Sequence, residues 1–148
     1  MDGGQALPHG NSEMNALDTA IYSRLQGTAI TSLLAGTTSL YHLQAPEDAA
    51  LPYVVWNIQG GGDENLTQNR TKNLVVFIRA YSENSAALAG SIDDKVDAAL
   101  SNSSPLTVNG WTNIWLAREQ DLETVQLEPS GRQIHMAGGL FRVWLDKS

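Results

Sequence analysis

The sequence predicts an α+β domain in which a mostly antiparallel β-sheet carries two helices packed on one face. Three observations support this fold class. The segments 15–25 and 86–100 each place apolar residues on one helical face. The segments 53–59 and 72–81 are rich in β-branched and aromatic residues, which is typical of strands. From Leu106 onward, strand-like runs alternate with turn residues, so we expect three or so further strands.

The first helix is predicted over 15–25. Leu17, Ile21 and Leu25 recur at positions i, i+4 and i+8, which places them on one face. Asn15 is a suitable N-cap for this helix, and Gly27 is placed to end it. A short helical piece at about 31–35 and an extended stretch at 40–43 follow.

The helix at 86–100 is the clearest amphipathic element of the sequence. Its apolar residues recur every four positions: Leu88, Ile92, Val96 and Leu100. The aspartates between them fall on the opposite, solvated side. This helix is therefore expected to pack against the sheet through one stripe.

The strands are bounded by turn residues. The strand 53–59 follows a proline, and in the strand 72–81 every second residue from Leu74 is apolar. The polar, glycine-rich segment 60–70 between them is too long for a tight turn, and we expect a projecting loop there.

The strand-like runs of the C-terminal part lie at 106–108, 111–117, 121–127 and 133–145. Asn109-Gly110 and the segment 128–131 supply turns between them. The pair Gly138-Gly139 inside the last strand indicates a bulge or a close approach of another backbone.

Length and composition limit the possible functions. A chain of 148 residues suits one domain, predicted over 15–148, with 1–14 as a flexible N-terminal arm. There is no cysteine, which excludes disulfides and thiol chemistry. Sixteen acidic residues face nine basic ones, giving a net charge of −7, which is unfavourable for binding nucleic acid. No apolar run approaches the roughly 20 residues of a membrane span, so we expect no membrane association.

No arrangement of residues predicts catalysis, a metal site or a cofactor. The histidines at 9, 42 and 135 lack the spacing of metal ligands. The run Gly60-Gly61-Gly62-Asp63 lacks the lysine and following helix of a phosphate-binding loop, and a flexible hairpin loop is the simpler interpretation. The helix aspartates are more simply explained as a solvated face. The protein is therefore expected not to be an enzyme.

The polar and aromatic residues are expected to contact other subunits. All four tryptophans fall on predicted strands, and a domain of this size cannot easily bury all four, so one or two are expected to anchor interfaces. The candidate interaction residues are Gly60, Gly61, Gly62, Asp63, Glu64, Asn65, Asn69, Arg70, Arg118, Glu119, Asp121 and Trp144.

The order and spacing of several short motifs resemble the phage tail-completion proteins, a family related in structure to tail terminators. The motifs follow one another over residues 16–146: Ala20–Leu25, Leu33–Gly36, Ala45–Ala49, Leu51–Val55 (Leu-Pro-Tyr-Val-Val), Ile92–Leu100, Arg118–Asp121 and Phe141–Trp144 (Phe-Arg-Val-Trp). The specificity lies in their order, since each motif alone is short.

This resemblance implies a structural virion protein of the phage tail or neck, assembled in the host bacterial cytoplasm. It implies a tail-terminator-like fold and a homo-oligomeric, hexameric ring that caps the tail tube protein. The ring would join the tube to a head-closure or adaptor protein, and DNA would pass through its lumen without specific binding. The alternatives are another neck or minor tail component, such as a head-closure protein, or a small ligand-binding α+β domain.

Overall fold

The computed structural model describes residues 12–64, 71–101 and 105–147. Within these residues the chain forms three helices and six strands. In chain order they are α1 (Ser12–Leu25), α2 (Thr28–Thr31), β1 (Leu40–His42), β2 (Tyr53–Glu64), β3 (Thr71–Glu83), α3 (Ala86–Ser101), β4 (Thr107–Val108), β5 (Trp111–Leu127) and β6 (Gln133–Lys147). The α+β class is therefore confirmed.

The six strands form one mixed sheet in the order β1-β2-β3-β6-β5-β4, which curls into a half-barrel. Four strand pairs are antiparallel, but β1 and β2 run parallel. The prediction of a mostly antiparallel sheet with two helices therefore holds for four strand pairs and needs correction for the parallel β1–β2 pair and for the third helix. The third helix, α2, is a single turn and is too short to produce a recognisable periodic pattern.

The core lies between the helices and one face of the sheet. On β3, every second residue from Lys72 to Ser82 is buried, which is the period of a strand with one covered face. Leu17, Ile21 and Leu25 of α1 lie in the same apolar cluster as the α3 stripe. The predicted helical stripes are thus the surfaces that pack.

The strands are longer than the sequence pattern indicates. β2 continues through the glycine run to Glu64, and residues 60–64 pair with residues 71–75 of β3. The projecting loop expected at 60–70 is therefore wrong over its first part. Backbone pairing overrides the weak strand propensity of glycine here.

The two strands expected at 111–117 and 121–127 are one continuous strand, β5. The register against β6 shifts once between Asn113 and Trp115 and again between Arg118 and Gln120. Each shift is a bulge of one extra residue, which disturbs the side-chain alternation without ending the strand. The polar residues at 118–120 therefore mark a bulge, where the sequence suggested a break.

The glycine pair in β6 confirms the predicted close approach. A Cβ atom added to Gly138 would lie 2.4 Å from the carbonyl oxygen of Ile78 on β3, and one added to Gly139 would lie 2.6 Å from Cζ of Arg118 on β5. β6 itself keeps a regular register with β3 through these positions. The glycines therefore make room for two neighbouring strands.

Candidate functional site

The outer edge of β5 is the most exposed apolar feature of the structure. β4 pairs only with Trp111 and Thr112, so within the described part of the chain the edge from Ile114 to Leu127 has no neighbouring strand. We call this segment the β5 edge. Ile114, Trp115, Val125 and Leu127 are 52%, 57%, 59% and 69% exposed. Natural proteins usually protect strand edges of this length, because unpaired backbone groups recruit other strands.

A groove next to this edge brings two predicted interaction residues together. Trp115 and Trp144 are register partners on β5 and β6. They line a groove of about 600 Å³ together with Asn73, Ile114, Glu119 and Arg142. Nη2 of Arg142 lies 3.0 Å from Oε1 of Glu119, which closes the polar side of the groove. The groove thus combines an apolar aromatic floor with a paired, charge-neutral rim.

Arg118 lies on the helix-facing side of the sheet and is fully engaged within the chain. Its Nη1 and Nη2 donate to the two carboxylate oxygens of Asp93 on α3 at 3.0 and 2.6 Å. Its Nε donates to Oδ1 of Asp121 at 2.6 Å, and Nη2 also donates to the carbonyl oxygen of Gly138 at 2.8 Å. Its side chain is 13% exposed. Arg118 therefore links α3 to β5 and β6 through hydrogen bonds.

The bulge explains how Arg118 and Asp121 meet. Residues i and i+3 of a regular strand lie on opposite faces. Glu119 is the extra residue of the bulge, so Arg118 and Asp121 return to one face. Burial alone would lower the pKa of Arg118, but the hydrogen bonds that it donates to Asp93 and Asp121 raise the pKa above its ordinary value. Asp121 itself remains 86% exposed at the β5 edge.

The glycine run lies on the other free edge of the sheet. Gly60, Gly61, Gly62, Asp63 and Glu64 belong to β2, paired with β3. β1 pairs only with residues 54–56, so in the described structure the far side of the run has no strand neighbour.

Three of the predicted interaction residues, Asn65, Asn69 and Arg70, lie outside the described residues. The structure therefore places the predicted candidates at two separate edges of the sheet and on the helix-facing side, and does not gather them into one site.

Several exposed residues of the surface were not singled out from the sequence. Ile114, Trp115, Val125 and Leu127 form most of the apolar strip on the β5 edge. The segment 121–127 was predicted as a strand, but the sequence did not indicate that its apolar side chains are exposed. That this strand is at the edge depends on the sheet order, which the pattern does not contain.

A buried polar cluster joins α1 to the sheet. Oδ2 of Asp18 on α1 lies 3.1 Å from Nε2 of His42 on β1. The imidazole stacks on Trp56 of β2, with the ring centres 5.6 Å apart. Oδ1 of Asp18 and Nε1 of Trp56 are buried without a hydrogen-bond partner. Burial raises the pKa of Asp18, and the nearby His42 and the Trp56 indole lower it only in part.

Neither a metal site nor a membrane-spanning helix was found in the described ranges. No group of three or more His, Asp or Glu side chains there has the arrangement of a metal site. None of the helices is long and apolar enough to cross a membrane.

Comparisons with known proteins give consistent results. The family model described as "Tail completion protein gp17" matches residues 19–129. No match was found by sequence among curated proteins.

Two solved structures are similar in fold. One is a chain from the virion of a native gene transfer agent particle, with a TM-score of 0.75 and 19% identity, covering 93% of this chain and 99% of that one. The other is the bacteriophage SPP1 gp17 protein, with a TM-score of 0.54 and 20% identity, covering 97% of each chain. At these identities the likeness concerns the fold. The family match extends over most of the chain, and the protein belongs to the tail completion protein gp17 family.

Proposed function

We propose that this protein is a non-enzymatic ring subunit that completes a phage tail. About six copies form a homo-oligomeric ring on the last ring of the tail tube protein. The ring joins the tube to a head-closure or adaptor protein and surrounds the DNA channel without binding DNA specifically. Assembly takes place in the host bacterial cytoplasm, and the protein ends in the virion. Family membership supports the tail assignment.

The observation that carries the ring proposal is the β5 edge. Its 14 residues, Ile114–Leu127, present unpaired backbone groups over about 45 Å at the usual rise of a strand. Four large apolar side chains are exposed along it. In a monomer these backbone groups stay unpaired and these apolar side chains stay in water. Addition of a strand from another chain pairs the backbone groups and buries the side chains.

The far edge of β2 provides a surface that the β5 edge of another copy can meet. Residues 57–64 have β3 on one side and, in the described chain, no strand on the other. Pairing of the β5 edge of one copy with this β2 edge of the next is a heterologous contact. Contacts of this kind produce a ring when the rotation between copies closes.

The remaining candidate residues are assigned to contacts along the tail axis. Exposed tryptophans are enriched among residues that dominate binding energy, so the Trp115–Trp144 groove is the proposed docking site for a neighbouring ring. Glu119 lines this groove, whereas Asp121 lies with Arg118 on the other face of the sheet, at the β5 edge. Gly60–Glu64 contribute their backbone to the β2 edge. The roles of Asn65, Asn69 and Arg70 stay predictions. A role of Arg118 as a subunit contact also stays a prediction, and it is less favoured because Arg118 already donates its hydrogen bonds within the chain.

The test is the native mass of the full chain by light scattering, alone and after mixing with purified tail tubes. We expect a mass near six times the 16.0 kDa of one chain, or hexameric rings at the tube ends. The double variant Val125→Lys, Leu127→Lys places charge on the β5 edge and is expected to remain monomeric while keeping its fold. The control is Ala98→Lys on the exposed side of α3, which should assemble normally.

Two outcomes would contradict the proposal. A chain that stays monomeric and binds neither tail tubes nor head-closure rings is not a tail-completion subunit. A chain that binds head-closure rings but not tail tubes is instead a head-closure component. Normal assembly by the lysine double variant would leave the ring but reject the β5 edge as its contact.

A further inference from the structure

The strongest unassigned feature is Arg79, an arginine whose charge is not neutralised within the described chain. Arg118, Arg132 and Arg142 each have a carboxylate oxygen within 3.0 Å. For Arg79, the hydrogen bonds are to uncharged groups. Its side chain is half-buried on β3, on the face of the sheet away from the helices. A carboxylate from outside the described residues could supply the counter-charge that this partly buried cation lacks.

The guanidinium group of Arg79 is held in a fixed orientation. Its Cζ lies 4.5 Å from the ring centre of Phe77, and Nη1 donates to Oδ1 of Asn57 at 3.0 Å. Nη2 lies at the limit of hydrogen-bond distance, 3.5 Å, from the carbonyl oxygen of Leu43, in an exposed position. Nε is buried without a partner. The group is thus oriented in advance, and Nη2 keeps donor capacity for a ligand.

A cavity of about 300 Å³ lies beside this group. One part of its lining is apolar or aromatic: Leu51, Tyr53, Val55, Tyr81 and Ile134. Gln44 and Gln126 contribute polar groups. Three more charged residues line the cavity: Glu47, Glu128 and Arg132. Nε of Arg132 lies 2.8 Å from Oε1 of Glu128, and Glu47 is exposed. Since Arg132 and Glu128 neutralise one another, Arg79 is the unpaired charge beside the apolar wall.

We propose that Arg79 and this cavity bind the carboxylate of an acidic side chain on a partner polypeptide. The planar guanidinium group matches a carboxylate better than any other common anion on a protein surface, and a partly buried setting strengthens the bond. The apolar wall accommodates the methylene groups that carry the carboxylate. Gln126 of the β5 edge also lines the cavity, and Asn57 begins the unpaired part of β2, so the site lies beside both sheet edges. Binding of a peptide to it needs no second copy of the chain.

The test uses the full chain labelled with ¹⁵N and two peptide probes. N-acetyl-Gly-Glu-Gly-amide carries the carboxylate, and N-acetyl-Gly-Gln-Gly-amide is the matched neutral probe. We expect the Glu peptide to shift the Arg79 Nε–H resonance and the amides of Tyr53, Val55 and Tyr81 in a saturable manner. Arg79→Gln should weaken binding at least about tenfold, because a charge-assisted hydrogen bond is lost. The double variant Arg132→Gln, Glu128→Gln removes both members of the neutral pair in the same cavity and should leave the affinity within about twofold.

A second variant guards against a folding defect in Arg79→Gln. Asn57→Ala keeps the arginine but removes the acceptor that orients it, and it should also weaken binding. Equal shifts with the Gln peptide, or unchanged affinity in Arg79→Gln, would overturn the proposal. Saturation by acetate at the same concentration as the Glu peptide would show a site for small carboxylates and overturn the polypeptide assignment.

Discussion

Asp18 is the buried acidic residue whose ionisation opposes the fold. Its side chain is 8% exposed, and only one of its carboxylate oxygens has a partner, Nε2 of His42. Burial raises the pKa of Asp18 above its ordinary value of 3.8. A raised pKa in the folded state means that this group stabilises the fold fully below the unfolded pKa, and that the contribution is lost as pH rises through the folded pKa.

Asp18→Asn is therefore expected to gain stability relative to the natural chain as the pH rises from about 4 to 7. The amide keeps a hydrogen-bonding group beside His42 but cannot ionise. The measurement is the difference in melting temperature between variant and natural chain at several pH values. Asp94→Asn, on an exposed position of α3, is the control and should show no such trend. A difference that stays constant with pH would show that Asp18 does not titrate over this range.

Gly61 is required for the local backbone conformation, whereas the neighbouring Gly60 is not. Its φ is +111°, and an added Cβ atom would lie 2.2 Å from the carbonyl oxygen of Asn73. Gly60, the preceding residue, has nothing within 4 Å of such an atom. We expect Gly61→Ala to lower the free energy of unfolding by about 1–3 kcal/mol, the usual range for backbone strain. Gly60→Ala should stay within about 0.5 kcal/mol, as for ordinary surface changes. Chemical denaturation of both variants tests this, and equal losses would contradict it.

The contact between α3 and β5 depends on one ion pair. Arg118 binds Asp93 through two donors, and the two side chains are 13% and 14% exposed. Arg118→Gln leaves the Asp93 carboxylate partly buried without its cation, so we expect a loss of about 2–3 kcal/mol of stability, somewhat below the cost for fully buried pairs. Amide hydrogen exchange along α3 should quicken in the same variant. The control is Arg132→Gln, whose ion pair is exposed to solvent and should matter little. Unchanged exchange on α3 would show that the apolar stripe alone holds the helix.

The sequence predicted most elements but not their arrangement. The stripes of α1 and α3 and the alternation of β3 were readable because one covered face leaves a period in the residues. The one-turn α2 was predicted a few residues too late, at 31–35, and the glycine-rich end of β2 was missed, because neither carries a period of its own. The parallel pairing of β1 was not predictable, since it depends on where the chain returns after residues 43–52.

The candidate surface was predictable only in part. Trp144 and Glu119 do lie together in one groove. Arg118 was grouped with them because the charged segment 118–121 was taken as a strand end, whereas the bulge directs Arg118 toward α3. The inference that one or two tryptophans lie outside the core agrees with Trp115, which is 57% exposed. Which tryptophan is exposed follows from the position of β5 in the sheet, which residue patterns do not give.

At the scale of the whole molecule, the net charge of −7 predicts weak contact with DNA. Phosphate binding requires the release of counterions by lysine and arginine, and three arginines here are already paired with carboxylates. We expect no binding of a fluorescent 20-base-pair duplex at about 150 mM salt, measured by anisotropy up to tens of micromolar protein. Binding that weakens steeply with salt would contradict a channel wall that DNA passes without adhering.

The way Arg118 spans the sheet has a mechanical consequence. Gly139 leaves the space through which the arginine side chain passes, and the guanidinium then joins α3, β5 and β6 at one point. A sideways pull on β5 therefore cannot peel that strand from β6 one hydrogen bond at a time near this point. The load passes into α3, and strand and helix yield together. A subunit held by its neighbours through β5 would carry tension as one body instead of fraying from its edge.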